Sequence, residues 1–395
     1  MAQSYYEFFC PVKMIAGHKA LEHIPFELTA IGVSRPMIIT DKGVRQVGLV
    51  DHVTNAFDGT DREVAAIFDD VPPDSSLKTV QAAAKAYRDQ QCDAILAIGG
   101  GSVIDTAKGV NILVSEGGND LTKYSGAHNL PKKLNPLFVV PTTAGTGSEA
   151  TMVAVISDTE KETKLPFASY FLMPDAAILD PRMTLTLPPH ITAMTAMDAM
   201  THAVESYTCL SANPMSDAYA SAAIRKISEN LMDVMATPDN AQGRLELAQA
   251  STMAGAAFSN AMVGLVHSLG HALGAVCHLP HGLCMNLFLP YVLDYNKSVN
   301  GDKIADLLLP LAGADVYANT PQAQRADKAI AHLRQMRDEL FERCNLPRTL
   351  KETGKVERSQ IQQIAEKALD DGSIIYNPKE ASLEDLIQVL EGAWE

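Results

Sequence analysis

Cysteine is scarce in this chain: there are six in 395 residues, too few and too scattered for a disulfide framework. Positive charge is scarce as well. Against 47 Asp and Glu stand only 32 Lys and Arg, a formal net charge of −15, and no run of basic residues interrupts that balance. Such a chain repels a phosphate backbone, so nucleic-acid partners are not expected, although a local site for a small anionic cofactor stays open. No apolar stretch approaches the ~20 residues that span a bilayer, so no membrane role is expected. Met1 to Met14 lack a basic start, an apolar core and a small-residue cleavage site, and no export signal is read there. Internal repeats and low-complexity tracts are missing too. What remains is a soluble, cytoplasmic globular protein, long enough for two or three domains.

The two halves of the chain differ. Between about residues 30 and 180, short apolar runs alternate with helical patterns. The runs are Pro36 to Thr40, Val64 to Phe68, Ala94 to Ile98, Leu137 to Val140 and Ala176 to Leu179, and Leu77 to Arg88 is one of the helical separators. Continuous apolar strands spaced by helices predict a mostly parallel sheet covered on both faces. After Pro188 and Pro189 the chain is rich in Ala, Leu, Met, Glu and Gln, and strand signals almost vanish. That half reads as helical. The prolines place a boundary there, giving an α/β domain over 1–188 and an all-α domain over 189–395.

Three segments of the first half point to a nucleotide. In "AILAIGGGSVIDTAKG" a buried-type strand runs into Gly99, Gly100, Gly101 and Ser102, and a helix follows. Glycines let backbone approach a ligand closely, and a helix start offers unpaired N–H groups to phosphate. The spacing is not the GxGxxG fingerprint, and a tight strand–helix turn is the competing reading. Asp41 follows the strand at Pro36 to Thr40, where an acid accepts hydrogen bonds from a ribose diol and repels a 2′-phosphate. By itself it also suits a helix N-cap. Here the acid precedes the glycine loop, so the strand order differs from the usual dinucleotide fold. "PTTAGTGSE" follows the strand at Leu137 to Val140 and offers Thr142, Thr143, Thr146 and Ser148 to a pyrophosphate or nicotinamide. Loops at strand carboxyl ends converge on one crevice in an open α/β sheet.

The second half holds a histidine cluster. Of eleven histidines, four fall close together: His267, His271, His278 and His281, within "GLVHSLGHALGAVCHLPHG". His267 and His271 are one helical turn apart, and Pro280 breaks the helix ahead of His281. Upstream, "MDAMTHAVESY" sets Asp198 and His202 on one helix face. One carboxylate and several imidazoles from different helices make a ligand set for Fe²⁺ or Zn²⁺. Spacing does not say which histidines ligate, and Cys277 and Cys284 with His278 and His281 offer a thiolate zinc site as the alternative.

Together, "GGGSVIDTAK", "PTTAGTGSE", "MDAMTHAVESY" and "HSLGHALGAVCHLPHG" resemble the iron-containing (group III) alcohol dehydrogenases, near their lactaldehyde reductase, 1,3-propanediol and ethanol/butanol dehydrogenase branches. The resemblance runs from "MIAG" to "YNP" at Tyr376 to Pro378. It implies a dehydroquinate synthase-like fold with the site in a cleft between an α/β domain and a helical domain. It implies a metal, iron or zinc, on Asp198, His202, His267 and His281, with His271 near the nicotinamide as a proton-transfer group. For NAD it implies Asp41, Gly99 to Ser102, Thr142, Thr143, Thr146, Lys164 and Leu179. Val153 and Phe258 then suggest an apolar pocket for a small alcohol or aldehyde, and a homodimer or larger assembly is expected. Reversible oxidation of a primary alcohol or small diol follows. A hydroxyacid–oxoacid transhydrogenase, a dehydroquinate synthase-like lyase and a non-catalytic metal- and nucleotide-binding protein are the competing functions on the same fold.

Overall fold

A computed structural model describes residues 5–161 and 163–395. It divides into two compact units, one spanning Phe9–Leu187 and the other Pro188–Glu395 with residues 5–8.

In the first unit, nine short strands form two sheets. They are β1 (Lys13–Ala16), β2 (Pro36–Ile39), β3 (Ala66–Phe68), β4 (Ala94–Gly99), β5 (Gly126–Ala127), β6 (Leu137–Pro141), β7 (Val153–Asp158), β8 (Thr163–Ala168) and β9 (Ala176–Leu179). The larger sheet has the order β1-β9-β6-β4-β2-β3, and every pairing in it is parallel. Its central strands are apolar throughout because both faces are covered. Met37, Ile39, Ile95, Ala97, Leu137 and Val139 point into one core; Ile38, Leu96, Ile98, Phe138, Val140 and Ile178 point into the other. That two-residue alternation is the pleat itself. β3 keeps only three of the five residues of its predicted run, since it is an edge strand paired with β2 alone.

Four strands lie outside the five predicted runs. β1 borders the sheet and has no buried residue. β7 and β8 pair antiparallel, with β5 parallel to β8, as a separate three-stranded sheet. Only alternate β7 residues are fully buried and most of β8 is not, so neither is the continuous buried run that marks the central strands.

The second unit is helical, and no strand occurs in it among the described residues. Its long helices are Pro189–Thr208, Pro214–Ala236, Ala241–Ala261, Leu265–Cys277, His281–Asp306 and Gln322–Cys344. Pro189 and Pro214 stand at first helical positions, where a missing N–H costs nothing. Most of Pro189–Thr208 is buried, including its polar Asp198, Thr201, His202, Glu205 and Ser206. A helix that buries polar groups along its length must meet them with partners. No single helix among the described residues is long and apolar enough to cross a membrane.

Leu96, at the centre of β4, is fully buried. Leu96→Ala is expected to cost about 2–5 kcal/mol of stability. Urea unfolding followed by circular dichroism measures it, and a loss under ~1 kcal/mol would contradict a close-packed core at this strand.

Candidate active site

Parallel pairing sets the carboxyl ends of β9, β6, β4 and β2 side by side along one sheet edge, and the predicted cofactor residues follow that row. Leu179 ends β9, Thr142, Thr143 and Thr146 follow β6, Gly99 ends β4, and Asp41 follows β2. Two contacts tie the row together. The Thr40 hydroxyl donates to the Ile98 carbonyl at 2.7 Å, and Thr142 N–H donates to the Gly99 carbonyl at 3.1 Å. Gly100 caps the 16-residue helix Gly101–Glu116. The two loops are so close that a Cβ on Gly101 would stand 2.8 Å from Thr146 Cγ2, and one on Gly100 3.2 Å from Thr143 Oγ1. Here the glycines are needed for the approach of a second loop as well as of a ligand. The first N–H groups of that helix have no intrahelical acceptor and suit a pyrophosphate.

Asp41 is also the N-cap of the next short helix: its Oδ1 accepts from Val44 N–H at 2.9 Å. Both readings of this residue therefore hold in geometry, since a carboxylate has a second oxygen to offer. Ser102 Oγ donates to the Pro73 carbonyl, and Lys164 on β8 lies 3.8 Å from Asp74 in an exposed ion pair. The 73–74 turn thus joins Lys164 to the glycine loop. Leu179 is buried, and its carbonyl accepts from Gly17 N–H at 3.0 Å.

Two residues of this region have roles the motifs did not disclose. Lys108, on the Gly101–Glu116 helix, is fully buried and donates to the carbonyls of Ser148, Thr151 and Val153, each at 2.8 Å. It fastens the segment after "PTTAGTGSE" and the start of β7, which is where Val153 lies. Burial pushes its ammonium pKa down to about 8, against the attraction of Asp105 and Glu149. Asp105 accepts from Ser148 Oγ at 2.9 Å and from Val155 N–H at 2.9 Å, so the pair anchors the same segment from two sides.

In the helical unit, Asp198 and His202 come from Pro189–Thr208, His267 from Leu265–Cys277, and His281 is the first residue of His281–Asp306. One potential ligand atom from each lies within 4.8 Å of all the others. Gly282 permits this: a Cβ there would stand 2.6 Å from the Met194 carbonyl, so only glycine lets the His281 helix start against the Asp198 helix. Asp198, His202 and His267 are buried, and His281 is the open side of the group.

The electrostatics suit a cation. Burial pushes His202 down to about 3 and holds His267 well below the ordinary imidazole range, so both rings are neutral with a lone pair at neutral pH. Burial opposes ionisation of Asp198, but the facing imidazoles of His202 and His281 outweigh it and hold the carboxyl below the usual carboxylate range. Asp198 Oδ1 is 3.4 Å from His281 Nε2 and 4.0 Å from His202 Nε2, yet it makes no hydrogen bond, and neither does His267 Nε2. Leaving such groups unpaired costs about 1–3 kcal/mol each, more when charged. A divalent metal removes that cost, and one carboxylate with three imidazoles is a donor set for Fe²⁺ or Zn²⁺. The residues fit the ion.

His271 is not among the four. It is partly exposed, its Nδ1 lies 2.8 Å from Asp371 Oδ2, and its ring centroid is 5.3 Å from that of His281. Contact with His271 outweighs burial and pulls Asp371 down to about 2. Phe258 stacks on the His202 ring, with centroids 4.3 Å apart, giving the group an apolar wall. The thiolate alternative is not assembled: among the described residues the metal-type group contains neither Cys277 nor Cys284. Burial pushes Cys284 up to about 12, and His278 is an exposed helix-capping residue. Glu205, three residues after His202 on the same helix face, and Asp371, 100 residues beyond His271, were missed. Helical spacing was enough to find Glu205; nothing local marks Asp371.

A nucleotide-type sheet edge and a carboxylate–imidazole cluster on one chain define a metal-dependent, nicotinamide-linked oxidoreductase. Comparison with known proteins agrees. Residues 11–181 match the iron-containing alcohol dehydrogenase family, and residues 192–394 match the C-terminal part of the Fe-containing alcohol dehydrogenase family. The chain is 35% identical over 396 residues to 1,3-propanediol dehydrogenase of Klebsiella pneumoniae, with all of both chains covered. It is 33% identical over 386 residues to the NAD-dependent methanol dehydrogenase of Bacillus methanolicus, covering 98% of this chain and 99% of that one. A solved 1,3-propanediol oxidoreductase superposes with TM-score 0.93 at 34% identity, over 99% of this chain and 100% of that chain. The chain belongs to the iron-containing alcohol dehydrogenase family. It is an NAD-dependent, metal-dependent alcohol dehydrogenase of that class.

Asp198→Ala or His281→Ala is expected to lose both the bound metal, measured as equivalents per chain by elemental analysis, and alcohol oxidation. Full metal content in either variant would remove that residue from the cluster.

Proposed function

We propose that the chain oxidises a small primary alcohol or diol to the aldehyde, reversibly, with Asp198, His202, His267 and His281 holding Fe²⁺ or Zn²⁺. The buried, unpaired ligand atoms of Asp198 and His267 carry this reading. When bound, the metal supplies Lewis acidity that acidifies a hydroxyl or polarises a carbonyl, and the nicotinamide accepts or gives hydride. The two domains of this reading are 1–188 for the cofactor and 189–395 for the metal and chemistry.

The chain's own residues do the following. Asp198 contributes one negative charge and the neutral rings contribute lone pairs, so the donor set leaves a dipositive ion a net positive charge to act with. Phe258, stacked on His202, presents apolar surface suited to a short carbon chain rather than to a charged substrate, and Val153, at the start of β7, is apolar as well. Gly99 to Ser102 and Thr142, Thr143 and Thr146 cradle the pyrophosphate, Asp41 accepts the ribose hydroxyls, and Lys164 and Leu179 border the same edge. His271 takes the hydroxyl proton. An ionised Asp371 only accepts hydrogen bonds, so His271 Nδ1 must carry a proton and Nε2 is left as the base. The enzyme works in the cytoplasm as a homodimer or larger assembly, a reading supported by six cysteines free of disulfides and by the family resemblance.

Kinetics with ethanol, butanol, propanediols and lactaldehyde, on protein reconstituted separately with Fe²⁺ and Zn²⁺, test the substrate class. Turnover only when an oxo acid accompanies the alcohol would mark a transhydrogenase instead. His271→Ala is expected to lower kcat by about 100-fold or more with metal content unchanged. Should that variant lose its metal, His271 would be a ligand. Asp41→Ala is expected to raise kcat/KM with NADP⁺ relative to NAD⁺ by about tenfold, or ~1.4 kcal/mol, since a 2′-phosphate no longer meets a carboxylate. An unchanged ratio would leave Asp41 as a helix cap alone.

A further inference from the structure

Glu205 is buried on the Pro189–Thr208 helix, seven residues after Asp198 and three after His202, on their face. Its Oε2 lies 2.5 Å from His267 Nδ1, and its Oε1 accepts from Val266 N–H at 2.7 Å. The carboxylate therefore grips both the ring of His267 and the backbone just before it. Its other side is closed as tightly. A Cβ on Gly264 would stand 3.2 Å from Glu205 Oε1 and 3.3 Å from Asn377 Oδ1, so the backbone at Gly264 fills that space. Asn377 is locked by a reciprocal amide pair with Asn296, at 2.9 Å in each direction, and donates to the Lys379 carbonyl at 2.7 Å. What remains between these groups is a cavity of about 10 Å³, room for one water. Asn377 and Pro378 of the "YNP" segment thus line the space beside Glu205.

The consequence falls on His267 Nε2, which is buried without a hydrogen bond and faces the other three ligand atoms. We infer that Glu205 is the positioning residue of the metal centre: by accepting the His267 Nδ1 proton it fixes ring orientation and tautomer, leaving the Nε2 lone pair for the metal. This rests on the metal-centre reading above. Outer carboxylates that orient a metal-bound imidazole typically contribute about 10–100-fold in metal affinity.

The test is Zn²⁺ affinity of the full-length apoprotein, measured by competition with a chromogenic chelator, with thermal melting of the apoprotein as the control for folding. Glu205→Gln puts an amide against either Val266 N–H or His267 Nδ1–H. It is expected to weaken Zn²⁺ binding about 10–100-fold while the apoprotein melts within a few degrees of wild type. Glu205→Asp, which keeps the charge but withdraws it by one methylene, is expected to lose affinity too, and serves should the Gln variant fail to fold. In a His267→Ala background, Glu205→Gln is expected to change affinity less than about twofold, since its lever is gone. Affinity within twofold of wild type for Glu205→Gln, full affinity for Glu205→Asp, or a further tenfold loss in the His267→Ala background would each overturn the inference. Absence of stoichiometric Zn²⁺ on the wild-type chain would instead overturn the metal-centre reading itself.

Discussion

A carboxylate oxygen buried beside the neutral rings of His202 and His267, with no hydrogen bond to accept, is the constraint on which the helical half depends. Asp198 Oδ1 and His267 Nε2 are left without hydrogen bonds inside packed helices, a costly arrangement that a bound cation would relieve. Three separate helices supply the group, so the arrangement has to be imposed by packing. Gly282 shows how close that packing is: the turn that delivers His281 lies against the backbone of the Asp198 helix, without room for a methyl group. Burial keeps the His202 and His267 rings neutral, and neutral rings beside one anion suit a dipositive ion.

The α/β unit solves a different problem, the presentation of backbone to an anion in a chain of net charge −15. It does so without a basic surface. Parallel strands deliver glycine and threonine loops to one edge, a long helix starts there, and the exposed Lys164 pairs with Asp74 beside the glycine loop. Lys108 is the counterpart inside. Its buried ammonium binds three carbonyls and thereby anchors the threonine-rich segment that a flexible loop would leave undefined. A charge spent on holding a loop and a charge aimed at a ligand look the same in a sequence.

Two carboxylate–imidazole pairs lie one helical turn apart and differ in burial. Glu205 and His267 are enclosed, which suits a fixed ligand, whereas Asp371 and His271 are partly exposed, which suits a group that exchanges protons. The same side-chain pairing thus stands in two environments, and in the proposed reading the enclosed one holds a ligand while the open one exchanges protons.

Much of this was legible in the sequence. Continuous apolar runs announced the central strands, since residues buried on both faces are apolar without interruption, and the five predicted runs became β2, β3, β4, β6 and β9. The border strand β1 and the β7–β8 sheet were not legible, because each is partly exposed and mixes apolar with polar residues instead of forming a continuous buried run. Helical spacing and proline punctuation gathered Asp198, His202, His267, His271, His278 and His281 as candidates and left a thiolate site with Cys277 and Cys284 as the weaker alternative; the choice of Asp198, His202, His267 and His281 came from the family resemblance. Tertiary packing decided among them by turning four side chains to one point and leaving the thiols elsewhere. By itself, the sequence determined which residue types stood at helix faces and strand ends, because periodicity is a local property. Which of them meet, as His271 meets Asp371 across 100 residues and Glu205 meets His267 across 62, was decided only by the fold, because contacts between distant helices depend on how whole elements pack.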